Sequence, residues 1–204
     1  MSVKRRSLQH AAAIGVLSAL IACSAAVAAE VDDAIAVIER LHGALIAAAA
    51  DQSNDVSARF AALEPVILET HDLPYIARLT VRRYWRDWDE SQQAAVTAAF
   101  GRLSVMTYAS RFAEVGAEAF EITGARQDGN RVEVNALIKR DEADDVTLDY
   151  VLRSDGAAWR IVNVLADGVS DLALKTAEYG QLLEDGSVED LLAELDAQTR
   201  ALAD

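Results

Sequence analysis

Between Trp159 and Tyr179 a strand-like segment passes through Asp167-Gly168-Val169-Ser170 and becomes helix-like, and this order restricts the fold more than any other stretch. In Trp159-Arg160-Ile161-Val162-Asn163-Val164-Leu165 aromatic and β-branched residues dominate. Trp159, Ile161, Asn163 and Leu165 share one face at a period of two, the pattern of a strand with a buried face. Gly168 supplies a turn position able to take positive φ, and Ser170 is placed to N-cap a helix with Asp171 in its first turn. Leu172, Leu174, Tyr179, Leu182 and Leu183 follow at looser helical spacing. A last strand therefore hands the chain to C-terminal helices.

Upstream, the periodicity divides the chain into helices and then strands. Val31, Ile35, Ile38, Leu41, Leu45 and Ile46 recur at three- and four-residue spacing, which predicts an amphipathic helix from Val31 to Ala50. After a polar break at residues 51–55, a second helix is expected from Val56 to about Thr70. Pro65 should make it start late or split it in two, because an interior proline removes a hydrogen bond and clashes with the preceding turn. Asp72-Leu73-Pro74 reads as a helix start, and Asp89 with Gln92 reads as a capping box opening the longest helix, to about Val115. Past Gly116 the period becomes two. Phe120 and Ile122, then Val132 to Ile138, then Val146 to Leu152, then the Trp159 segment alternate apolar with polar residues. Turn signals at Asp128-Gly129-Asn130, the acidic run 141–145 and Ser154-Asp155-Gly156 separate them. The expectation is an α+β domain with helices packed on a four-stranded antiparallel sheet, cone-like around an internal hydrophobic pocket, closed by helices over residues 171–184 and 188–202.

Lys4, Arg5 and Arg6 precede an uncharged, alanine-rich stretch from Ala11 to Ala29, the pattern of an export signal over residues 1–29 with a single domain over 30–204. Val27-Ala28-Ala29 fits a small-residue cleavage site. Leu20-Ile21-Ala22-Cys23 offers a rival, in which Cys23 is lipidated and tethers the domain to a membrane. Cys23 is the one cysteine, so disulfides and thiolate zinc sites are excluded. Removing residues 1–29 takes the basic count from 19 to 16 against 33 acids, moving the net charge from −14 to −17. Such a chain is a poor partner for nucleic acid and for an anionic bilayer, and suits docking onto basic protein faces as well as simple solubility.

Catalytic motifs are absent: the sequence holds no GxSxG, HExxH, P-loop or dinucleotide-binding pattern. His71 stands beside Asp72, which could orient an imidazole, although the ordinary state of a loop histidine next to a cap residue is solvated. Asp149 alternates with Leu148 and Tyr150. An acid on the inner face would suit proton abstraction, whereas the simpler arrangement has Asp149 in solvent and Tyr150 in the core. The aromatic residues between Tyr75 and Trp159 fit an ordinary core and a pocket lining equally well, since both require the same side chains.

The order Pro65, His71-Asp72, Ile76-Ala77-Arg78, Tyr84-Trp85, Gln92, Phe100, Tyr108, Tyr150, Trp159-Arg160-Ile161 and Gly168-Val169-Ser170 resembles the MlaC family of periplasmic lipid-binding proteins, of the toluene-tolerance type. The resemblance implies a helix-covered sheet around a hydrophobic pocket. It implies a periplasmic carrier, without catalysis, cofactor or metal, that moves lipid between inner- and outer-membrane transport proteins and serves outer-membrane maintenance. Asn163 stands where an acidic residue is common, and the Asp171 to Tyr179 segment departs from the usual helix. That variant looks like the hopanoid-associated HpnM branch, which makes a hopanoid as well as a phospholipid a plausible cargo. Burying a methylene is worth roughly 0.8 kcal/mol, so a chain of about fifteen carbons gains on the order of 10 kcal/mol gross on entering a pocket. The expected lining is Ile76, Leu79, Tyr84, Phe100, Leu103 and Tyr108 from the helices, with Val134, Leu148, Tyr150 and Ile161 from the strands. The rival functions are a small isomerase or hydrolase using Asp149 or His71, and a lipid-anchored structural module.

Overall fold

The computed structural model describes residues 8–50, 55–113, 119–140 and 144–203, with side chains described from residue 29 onward. The basic residues 4–6, the Cys23 side chain, the break at 51–54, Val115 and Gly116, and positions 141–143 of the acidic run lie outside what is described. Among the described residues six α-helices run as α1 (Leu8–Ala50), α2 (Val56–Thr70), α3 (Leu73–Val81), α4 (Glu90–Arg111), α5 (Asp171–Asp185) and α6 (Val188–Ala201), with a 3-10 turn at Trp85–Asp87. Between α4 and α5 lie β1 (Phe120–Asp128), β2 (Arg131–Ile138), β3 (Val146–Ser154), β4 (Trp159–Ala166) and β5 (Val169–Ser170). Among the described residues no helix is long and apolar enough to cross a membrane.

The helix starts follow local chemistry. Asp55, Asp72, Asp89, Ser170 and Ser187 each accept a backbone N–H with the side chain, satisfying a donor that has no partner inside the helix. Asp89 and Gln92 form the reciprocal capping box. The split expected at Pro65 does not occur: α2 is one helix with Pro65 inside it. Pro65 and Ala61, the residue whose carbonyl the missing N–H would have served, are both exposed, so the freed acceptor lies on the solvent side of the helix rather than in the core.

The sheet is a five-stranded antiparallel meander in the order β1-β2-β3-β4-β5. The fifth strand corrects the expectation of four. Asp167 and Gly168 both take positive φ, 48° and 78°, and fold Val169-Ser170 back against Leu165-Ala166. A strand of two residues is too short to carry an alternation. β4 also breaks its expected face. Leu152 opposes Ile161 but Val151 opposes Asn163, so Val162 is a bulged residue, and Val164 rather than Asn163 continues the face of Ile161, opposite Tyr150.

One sheet face carries Val132, Val134, Ala136, Leu148, Tyr150, Leu152 and Ile161, all buried beneath the helices. From α1, Ala34, Ile38, Leu41 and Leu45 meet this layer, and α1, α2, α3 and α5 all pack on β4. Helix α6 packs on α4, burying Val188, Leu191 and Leu195.

The loop between α2 and α3 is tied to the sheet. The Asp72 N–H donates to the Ile161 carbonyl at 2.9 Å, while its carboxylate caps α3 and pairs with Arg153 at 2.7 Å. The Arg153 guanidinium also lies 4.4 Å from the centre of the Tyr75 ring. Asp72→Ala is expected to cost about 2–3 kcal/mol, from the cap and from a largely buried cation left without its carboxylate. Asp72→Asn should lose less, because the amide oxygen keeps the cap; chemical denaturation of the two variants separates the contributions.

Candidate functional site

A cavity of about 360 Å³ lies between the sheet and helices α3, α4 and α5. Leu73 and Ile76 of α3 form one wall, and Leu148, Tyr150, Ile161 and Val164 form the sheet side. On α4 the residues Phe100, Ser104, Thr107, Tyr108 and Arg111 face it along one helical stripe, with Phe112 at the helix end. Ser104 and Thr107 soften this wall rather than polarise it. Their hydroxyls donate to the carbonyls of Phe100 at 2.9 Å and Leu103 at 2.8 Å, so their hydrogen-bond donors are used inside the helix. Val169, Leu172 and Leu174, from β5 and α5, complete the enclosure.

Asn163 fixes that last wall in place. Its amide oxygen accepts the Ser170 hydroxyl at 3.1 Å and the Leu172 N–H at 3.2 Å, tying the start of α5 to β4. A side-chain amide suits this position because it accepts these bonds without placing a charge beside the apolar interior.

The polar groups at the inner end form a closed chain. The Thr70 hydroxyl donates to the Val66 carbonyl at 2.7 Å, so its oxygen is free to accept from His71 Nδ1–H at 3.0 Å. His71 Nε2 is then the acceptor for the Tyr108 hydroxyl, also at 3.0 Å. His71 is buried, not solvated as expected for a loop position, and burial lowers its pKa from 6.5 to about 4. Burial likewise pushes the Tyr108 phenol well above the usual range for tyrosine. A second pair lies deeper: His42 Nε2 is 3.0 Å from the Tyr150 hydroxyl, and the His42 ring stacks on Phe120 at 4.0 Å. Burial lowers the His42 pKa to about 4 as well.

This arrangement holds polar groups still and offers little for covalent chemistry. Asp72 is committed to Arg153 and to the cap of α3, so it does not orient the imidazole. Asp149 is half-buried and accepts from the Asn135 amide at 2.7 Å, away from the cavity lining, while Tyr150 beside it is fully buried. Among the described residues no cluster of His, Cys, Asp or Glu could hold a metal ion.

Of the ten residues expected to line a pocket, Ile76, Phe100, Tyr108, Leu148, Tyr150 and Ile161 line this cavity. Leu103 and Val134 pack in the solid core, and Leu79 is half-buried outside the lining. Tyr84 faces a separate groove between the end of α3 and α5, where the Arg83 guanidinium lies 4.7 Å from its ring centre. Ser104, Thr107 and Arg111 join Tyr108 on the stripe that helix spacing defines, but polar side chains carry no signal of an apolar lining. The β5 and α5 wall carried no pattern that marks a lining.

The family model described as MlaC protein matches residues 36–197. Among solved structures, a phospholipid-binding protein from Ralstonia solanacearum, determined in complex with a phospholipid, has the same fold with a TM-score of 0.73. It is 20% identical, and the match covers 84% of this chain and 99% of that one. No curated protein matches the sequence.

Proposed function

The chain belongs to the MlaC family, and from that membership we propose that it is a noncatalytic carrier which takes a single lipid into the cavity beneath α3, α4 and α5 and shuttles it between inner- and outer-membrane transport proteins. The observation that carries the reading is the combination of an apolar cavity with internal polar groups that are already hydrogen-bonded to one another. Apolar burial supplies binding free energy, and paired polar groups present no competing need for water. The Ralstonia neighbour, with a phospholipid bound in the same fold, supports lipid as the class of ligand.

On this reading the interior tapers as a cone around the lipid tail. Residues 1–29 direct export, the carrier works in the periplasm, and lipidation at Cys23 is the rival outcome of processing. A phospholipid and, if the chain lies on the HpnM branch, a hopanoid are the cargo classes. The test is native mass spectrometry and solvent extraction of the chain purified from a membrane-containing host. About one lipid per protein is expected, transferable to acceptor vesicles. A chain that stays empty and takes up no lipid from vesicles overturns the reading.

A further inference from the structure

Two cations line a largely apolar cavity. Arg111, in the last turn of α4, is exposed and has no ion-pair partner among the described residues. Lys175 on α5 has its side chain only 16% exposed, with its ammonium 3.3 Å from Asp171 Oδ1. Among the described residues Asp171 is the one carboxylate in the lining, and His71 is neutral, so their ionised groups sum to one positive charge in a chain of net −14. Chance placement in so acidic a chain would favour the opposite sign.

The surroundings of these cations are also unusual. Leu174 and Val169 line the cavity yet are 58% and 53% exposed, and they are two of the three large apolar side chains that are exposed among the described residues. An apolar depth, an apolar lip and cations beside it match an amphiphile with an anionic head. Charges beside a low-dielectric cavity act more strongly than the same charges on open surface. We propose that Arg111 and Lys175 hold the anionic head of the bound lipid, so that the chain selects phospholipids of net negative head over zwitterionic and neutral lipids.

The inference rests on the carrier reading and narrows it. Lys175 would exchange Asp171 for a head phosphate, and Arg111 would gain its partner on loading. A neutral polycyclic lipid offers neither cation anything to bind, so a hopanoid is the less favoured cargo.

The test loads the lipid-stripped chain with an equimolar mixture of phosphatidylglycerol, phosphatidylethanolamine and diacylglycerol of identical acyl chains, followed by native mass spectrometry. Phosphatidylglycerol is expected to be enriched roughly tenfold, as two charge-assisted contacts to partly exposed cations allow. The Arg111→Gln/Lys175→Gln double variant should bring the phosphatidylglycerol share of the bound lipid near parity with the other two, and Asp171→Asn should strengthen the preference. Equal loading of all three lipids by the unsubstituted chain, or a preference unchanged in the double variant, overturns this inference and leaves the carrier reading standing. No loading of any lipid overturns both. Glycerol phosphate and inorganic phosphate at millimolar concentration should neither bind measurably nor displace lipid; if they bind as tightly as the lipid does, the cation pair is a free-phosphate site and the inference fails.

Discussion

Acidification from pH 6.5 to pH 4 is expected to destabilise the folded chain by several kcal/mol, although the protein is strongly acidic. Burial takes His42 and His71 from an ordinary 6.5 to about 4. An unfolded chain accepts protons on these residues near pH 6.5, while the folded chain accepts them only near pH 4, so in this window the unfolded state binds more protons. The stability that rests on neutral imidazoles is complete above pH 6.5 and is lost as the pH falls through 4. At about 1.4 kcal/mol per pH unit, each histidine contributes an upper bound of about 3–4 kcal/mol. The geometry agrees with the sign. A protonated His71 would carry N–H on Nε2, where the Tyr108 hydroxyl now donates, so that hydroxyl would have to turn round to accept or the bond would break, while Nδ1–H keeps its bond to Thr70.

A competing effect has the opposite direction. With 33 acids and a pI near 4.6, the chain relieves its own charge repulsion as the pH falls toward the pI. Urea unfolding at pH 7, 6, 5 and 4.5 therefore separates the two effects. A steady loss of stability identifies buried neutral histidines as dominant; a flat or rising curve contradicts that arrangement. The His42→Gln/His71→Gln variant should be less stable at pH 7 and also less sensitive to acid, because its amides bond without titrating.

The contrast between Phe100 and Leu103 shows how far sequence carries. Both lie on α4, both are apolar and both are buried, and their spacing predicts a helix with a buried stripe. Only Phe100 reaches the cavity, because one stripe of α4 faces the gap under the sheet and the neighbouring one packs against other helices. The same holds for Val134 and Tyr150, cross-strand partners on one sheet face, of which Tyr150 alone touches the cavity. Periodicity reports burial, and whether a buried side chain faces another side chain or a void depends on how elements distant in sequence diverge. Four strands were legible because each alternates over several residues. β5 and the Val162 bulge were not, since one is two residues long and the other shifts a face by a single unpaired residue. The pair of cations was equally hidden, because Arg111 and Lys175 are 64 positions apart and line one cavity only once the chain has folded.

Filling the cavity should abolish lipid retention without unfolding the chain, and Val164→Trp is the substitution best placed to do so. Val164 is half-buried on β4, lines the cavity and lies opposite Tyr150 on the sheet face that the bulge restores. An indole there can extend into open volume rather than into the dense packing around Val132 and Leu152, where an added ring would force strain. If the ring displaces five or six methylenes of a bound chain, the gross loss is about 4–5 kcal/mol, roughly a thousandfold in affinity before any rearrangement of the tail. Partial accommodation leaves at least a tenfold fall in lipid occupancy as the expected result, read by native mass spectrometry of protein from the same host. The melting temperature should hold or rise, since a filled void restores contacts that a cavity lacks. Val164→Ala is the matched opposite: it widens the cavity, costs about 1 kcal/mol of stability and should retain lipid. Lipid lost equally in both variants would place the binding site elsewhere; lipid retained by Val164→Trp at full occupancy would remove this cavity as the place where the tail lies.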